Sequence, residues 1–140
     1  MAARRRLYLD TSAYLCVLLG EEGAGPLAEL TADAELLSSV LLVLEARRNL
    51  VRLARDGVLT RDQYKLCLDR VEADADLFVL RDLTLELCKS PTMPAVATPR
   101  SLDLAHLSTA LWFHAAQPID RFVTLDGSQT QAAKELGLPV

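Results

Sequence analysis

RLYLD, Arg6 to Asp10, followed directly by Thr11 and Ser12, is the stretch on which the fold turns. It is a short β-rich segment that ends on a carboxylate, and the Thr-Ser pair opens a helical run from about Thr11 to Leu19. A strand running straight into a helix N-terminus is the start of a strand–helix repeat.

Outward from that segment the alternation continues. Gly20 and Gly23-Ala-Gly-Pro26 punctuate the chain, and Pro26 is placed as the first residue of a second helix through about Asp33. Glu35 to Ser38 is a second short strand. From Ser39 the pattern turns helical, with Leu42, Ala46, Leu50 and Leu53 on one stripe and Gly57 as terminator. Thr60-x-x-Gln63 is a capping box opening a helix to about Ala73, and Leu77 to Leu80 is a strand candidate. A short helix, Leu83 to Cys88, precedes a loop from Ser90 to Arg100 marked by Pro91, Pro94 and Pro99. Ser101 is the expected N-cap of a helix to about Ala116, and Arg121 to Leu125 is a strand ending at Asp126. A last helix closes at Gly137, and Leu138 to Val140 is a candidate edge strand.

Strands separated by helices predict an α/β architecture with a mostly parallel sheet, because parallel strands need crossover connections. No repeat, linker or charge block divides the 140 residues, so one domain spanning 1–140 is expected. Hydrophobic residues make up 51% of the chain and charged residues 24%, which excludes a disordered or low-complexity chain. The longest unbroken apolar run, Ala13 to Leu19, is too short to span a bilayer.

Lys plus Arg number 15 against 19 Asp plus Glu, a formal net charge of −4, so a polyanionic partner would have to meet a local basic patch. Arg48, Arg52 and Arg55 recur at helical spacing and are candidates for RNA phosphate contact, against the competing reading of a solvated, salt-bridging face. Cys16, Cys67 and Cys88 are odd in number and widely spaced, which predicts buried free thiols in a reducing, cytoplasmic setting rather than a disulfide framework or a zinc site.

Four acids stand at strand ends or helix starts next to apolar sequence: Asp10, Glu45, Asp103 and Asp126. Singly, Asp10 and Asp126 read as helix N-caps and Asp103 as a first-turn acid favoured by the helix dipole. Glu45, after Leu41 to Leu44, must be exposed by its helix face or compensated by a cation. Clustered, the four would repel one another and raise their own pKa values unless a divalent cation held them ionised, and oxygen-only ligands favour Mg²⁺ or Mn²⁺. His106, one turn from Asp103, reads as a packed or hydrogen-bonded histidine before a ligand or base, and Asn49 shares the face of Glu45 and is a candidate for orienting it.

YLDTSA (Tyr8 to Ala13), LLVLEARRNL (Leu41 to Leu50), SLDLAHLSTAL (Ser101 to Leu111) and FVTLDGSQTQAAKELGLPV (Phe122 to Val140) together resemble the PIN-domain ribonucleases, and in particular the VapC-type toxins of VapBC toxin–antitoxin pairs. The likeness runs from the first strand to the end of the sequence. It implies a PIN-like α/β/α sandwich around a central mostly parallel sheet of about four to five short strands. It implies Mg²⁺-dependent hydrolysis of RNA phosphodiester bonds, with Mn²⁺ able to substitute, neutralisation by a cognate VapB-type antitoxin, and a homodimer. By matching positions, Asp10, Glu45, Asp103 and Asp126 form the acidic site, with Asp10 and Asp103 as direct or water-mediated metal ligands. Glu45 then helps hold the metal or its waters, Asp126 completes the cluster or supports a second ion, and Ser12 and Thr124 stand beside the acids. Some relatives carry a further acidic or amide residue just after the fourth acid; here Gly127, Ser128 and Gln129 follow Asp126, which argues against a tightly held second metal.

Three other readings share some of these features. A non-catalytic PIN-like scaffold binding RNA or protein would be expected to have lost an acid, and a PIN nuclease of RNA processing would share the site without the toxin role. A haloacid dehalogenase-like hydrolase would use Asp10 as nucleophile but usually carries a second Asp where Ser12 stands.

Overall fold

The structure is a computed structural model that describes residues 3–89, 96 and 100–140. Among these, four strands form one sheet: β1 (Arg6–Leu9), β2 (Glu35–Ser39), β3 (Val79–Arg81) and β4 (Arg121–Val123). Their order is β3-β2-β1-β4 and every pairing is parallel, with Tyr8 opposite Leu37 on one side and Phe122 on the other. The helices are α1 (Thr11–Leu19), α2 (Ala24–Thr31), α3 (Leu41–Arg55), α4 (Arg61–Leu77), α5 (Leu85–Cys88), α6 (Ser101–Ala116) and α7 (Gly127–Glu135).

β1 is buried along its whole length, as a central parallel strand covered on both faces must be. Its side chains alternate between two cores. Tyr8 packs with Leu37 and Phe122 against Leu107, Ala110 and Phe113 of α6 and Ala132 and Ala133 of α7. Leu7 and Leu9 turn the other way, with Val123, Ala13 of α1 and Ala34. A third cluster joins Tyr14 of α1 to Leu42, Ala46 and Leu50 of α3 and Val71 of α4, so the α3 stripe read from the sequence is a packing face. The result is the α/β/α sandwich expected.

Local signals explain most boundaries. The Thr60 capping box is complete, with Gln63 N–H donating to the Thr60 hydroxyl at 3.1 Å and Thr60 N–H to the Gln63 side chain at 2.8 Å. Gly57 follows α3 with φ +76, a conformation in which a Cβ would be strained. Tyr14 donates its hydroxyl to buried Asp74 at 2.7 Å, and Arg70 Nε donates to the same carboxylate at 3.0 Å, which ties α1 to α4.

Several boundaries differ from the sequence reading. Pro26 is the third residue of α2, because Gly23 and not Gly25 supplies the left-handed N-cap. The α4 helix runs on to Leu77, so β3 begins at Val79. Arg100 rather than Ser101 occupies the N-cap of α6, without a side-chain cap bond. Leu138 to Val140 add no strand; only the Pro139 carbonyl joins, accepting from Phe122 N–H at 2.6 Å. The proline loop expected over Ser90 to Arg100 lies outside the described residues apart from Val96 and Arg100. Among the cysteines only Cys16 is buried, while Cys88 is exposed on short α5. Among the described residues, no helix is long and apolar enough to cross a membrane.

Candidate active site

In a parallel sheet the carboxyl ends of the strands and the N-termini of the following helices converge on one edge, where ligands collect. Asp10 follows β1, Asp126 stands beyond β4, and α3 follows β2 with Glu45 near its start. Asp103 lies in the first turn of α6.

Asp10 is buried, at 4% exposure, and is the N-cap of α1, accepting from Ala13 N–H at 3.2 Å. Ser12 donates its hydroxyl to Asp10 Oδ1 at 2.6 Å, and Thr124 donates to Asp10 Oδ2. The two hydroxyls lie 3.3 Å apart, and the Thr124 oxygen accepts from Asp126 N–H at 3.1 Å. The β1 and β4 ends are thus laced together by the side chains that adjoin the acids. Both small hydroxyl residues read from the sequence take part.

Asp126 caps α7, with Ser128 N–H and Ser128 hydroxyl donating to Oδ1 at 2.9 and 2.7 Å. The Ser128 hydroxyl pulls its carboxyl below the ordinary value; burial opposes this, while the backbone N–H groups of Ser128 and Gln129 add to it. Asp103 behaves oppositely. Burial pushes its carboxyl up, Arg100 pulls it down, and the charges of Asp126 and Asp10 push it up again, for a net rise. Asp103 therefore lies within electrostatic reach of Asp126 and Asp10, with burial the larger cause of its rise.

Glu45 joins this group differently. Thr11 donates its hydroxyl to Glu45 Oε1 at 2.8 Å, and His106 Nε2 lies 2.8 Å from the same oxygen. Burial pushes the Glu45 carboxyl up, but the His106 hydrogen bond and charge, with the Thr11 hydroxyl, outweigh it and hold the group below its ordinary value. The carboxylate that had to be exposed or compensated is compensated, by a histidine and a threonine from two other helices.

The donor chemistry fits a hard divalent cation: carboxylates and hydroxyls, oxygen throughout, with mutual repulsion that a cation would relieve. Among the described residues no three acidic, imidazole or thiol groups already form a closed ligand cluster.

This chain is 31% identical over 137 residues to Ribonuclease VapC35 of Mycobacterium tuberculosis (strain CDC 1551 / Oshkosh), a match covering 96% of this chain and 94% of that protein. Ribonuclease VapC35 of strain ATCC 25618 / H37Rv matches to the same extent. The chain belongs to the VapC-type PIN ribonucleases. No protein-family model matches it.

In this VapC-type chain one residue beside the acids, Thr11, escaped the sequence reading of the site, and a second, His106, was read without its partners. Thr11 looked like part of a helix start, and its hydroxyl instead reaches Glu45. His106 is hydrogen-bonded, as expected, but its partners are Tyr8, Thr11 and an acid of the site. Asn49 does not orient the Glu45 carboxylate: its amide donates to the Glu45 backbone carbonyl at 2.8 Å and its oxygen accepts from Arg52 at 3.0 Å. Arg48, Arg52 and Arg55 are exposed on α3. His114, in the last turn of α6, accepts from Ile119 N–H at 3.0 Å and so ties down the chain beyond the helix end.

Proposed function

We propose that this chain is an Mg²⁺-dependent endoribonuclease of the toxin type, cutting RNA phosphodiester bonds at the edge where Asp10, Asp103, Asp126 and Glu45 gather. The observation that carries the reading is the seating of Asp10 at the end of β1, with Ser12 and Thr124 donating to its two oxygens and with Asp103 and Asp126 within electrostatic reach. Asp10 and Asp103 would hold the cation, Glu45 and Asp126 would help hold it or its waters, and Ser12 and Thr124 orient the Asp10 carboxylate by donating to its two oxygens. When bound, the cation supplies charge neutralisation at the phosphate and a more acidic attacking water. Side-chain nucleophiles are not required.

Membership of the VapC-type family supports the rest of the reading: a VapB-type antitoxin as inhibitor, a homodimer, a cytoplasmic setting, and Mn²⁺ as a substitute metal. Arg48 and Arg52, exposed on the helix that carries Glu45, are the proposed RNA phosphate contacts. The test is cleavage of total cellular RNA by purified protein with Mg²⁺, with Mn²⁺ and with EDTA, beside Asp103→Asn. Discrete metal-dependent fragments absent from the variant are expected. Metal-independent cleavage, or equal cleavage by the variant, rejects the assignment.

A further inference from the structure

Behind Glu45 runs a line of buried polar atoms that the proposed chemistry leaves unused. Tyr8 is 0% and His106 1% exposed, and the Tyr8 hydroxyl lies 2.8 Å from His106 Nδ1. On the other side of the ring, Nε2 lies 2.8 Å from Glu45 Oε1 and 3.2 Å from Thr11 Oγ1.

The protons along this line follow from the partners. An ionised carboxylate only accepts, so Nε2 carries the proton toward Glu45. The Thr11 proton is committed to the same Glu45 oxygen, so its hydroxyl oxygen is an acceptor toward the ring. A ring that carries its proton at Nε2 accepts at Nδ1, and the Tyr8 hydroxyl 2.8 Å away is the donor it meets.

We propose that His106 is a positioning residue for Glu45: its Nε2–H, backed by the Tyr8 hydroxyl at Nδ1, pins Glu45 Oε1 so that the carboxylate meets the divalent cation in one orientation. An unpinned glutamate would lose rotamer freedom on metal binding, whereas here that ordering is complete beforehand. The inference rests on reading the four acids as a divalent-cation site.

The test uses the full chain without RNA. Mn²⁺ is titrated calorimetrically into the wild type, His106→Asn and His106→Gln, each also in a Glu45→Gln background, with melting temperatures recorded throughout. Asn keeps a polar group near Nδ1 and loses the donor to Glu45; Gln places an amide N–H near Nε2. His106→Asn is expected to bind Mn²⁺ roughly 10–100-fold more weakly. His106→Gln is expected to stay near wild type, and neither substitution should matter further once Glu45 is Gln. The ring-nitrogen NMR spectrum of the metal-free wild type decides independently of any variant, with a protonated Nε2 expected. An unprotonated Nε2, unchanged Mn²⁺ binding in His106→Asn, or equal weakening in the Glu45→Gln background overturns the inference alone. A wild type that binds no Mn²⁺ overturns the metal-site reading and this inference with it.

Discussion

Tyr14 and Asp74 share a buried hydrogen bond of 2.7 Å that joins α1 to α4, sixty positions apart in the chain. Removing the hydroxyl leaves a buried carboxylate with Arg70 as its remaining described partner. Tyr14→Phe is expected to cost about 1.5–3 kcal/mol, the range for hydrogen bonds to charged groups. Urea denaturation measures it, and cleavage per folded molecule should be unchanged because Tyr14 is not among the site residues.

Asp10 does two jobs that substitution can separate. Asn is as good an N-cap as Asp but offers one acceptor oxygen, so Asp10→Asn should abolish cleavage and keep the cap while losing the Thr124 contact, a cost of about 0.5–1.5 kcal/mol. Asp10→Ala should abolish cleavage and also cost about 0.5–2 kcal/mol through the lost cap. Equal melting temperatures for the two variants would show that the cap contributes nothing.

Asp103 sets the pH dependence of the metal-free protein on one side. Its folded pKa is raised, so its contribution to stability is present at low pH and is lost as pH rises through the folded value. Asp103→Asn is therefore expected to melt higher than wild type at neutral pH without metal. Saturating Mg²⁺ should shrink or reverse the difference, which thermal melts with EDTA and with Mg²⁺ will read.

Glu45 works in the opposite sense. Its folded pKa is lowered, so its contribution is present above the unfolded value of about 4.3 and disappears as pH falls through the folded one. Glu45→Gln should flatten the acid limb of a stability–pH profile measured by denaturant titration. An acid limb identical to that of the wild type would mean that the His106 and Thr11 contacts to Glu45 add nothing to stability.

Strand and helix order was legible because each element has its own local signal. RLYLD is apolar enough to be a doubly buried strand, Thr60 and Gln63 form a capping box within four residues, and Leu42, Ala46 and Leu50 repeat at helical spacing. Boundaries were less legible where two signals compete. Ser101 is a good cap by residue type, yet the chain starts α6 at that residue and leaves the cap to Arg100. The positions of Asp10, Asp103 and Asp126 at helix starts could be read because each adjoins an element end. The contacts that support Glu45 could not, since Thr11–Glu45 and His106–Glu45 span 34 and 61 residues and exist only once β1, α3 and α6 have packed. Asn49 shows the converse: helical spacing put it on the right face, and a nearby backbone carbonyl took its amide.

The strand order has a consequence for how the molecule is made. β1 emerges early from the ribosome and sits between β2 and β4, and β4 is translated after every other described strand. The Thr124 hydroxyl that holds Asp10 arrives 114 residues after it. A nascent chain therefore carries Asp10 without its clamp, and without Asp126, until β4 and the residues just after it have been translated. The acidic edge is thus completed only when β4, the last made of the described strands, pairs with β1, the first.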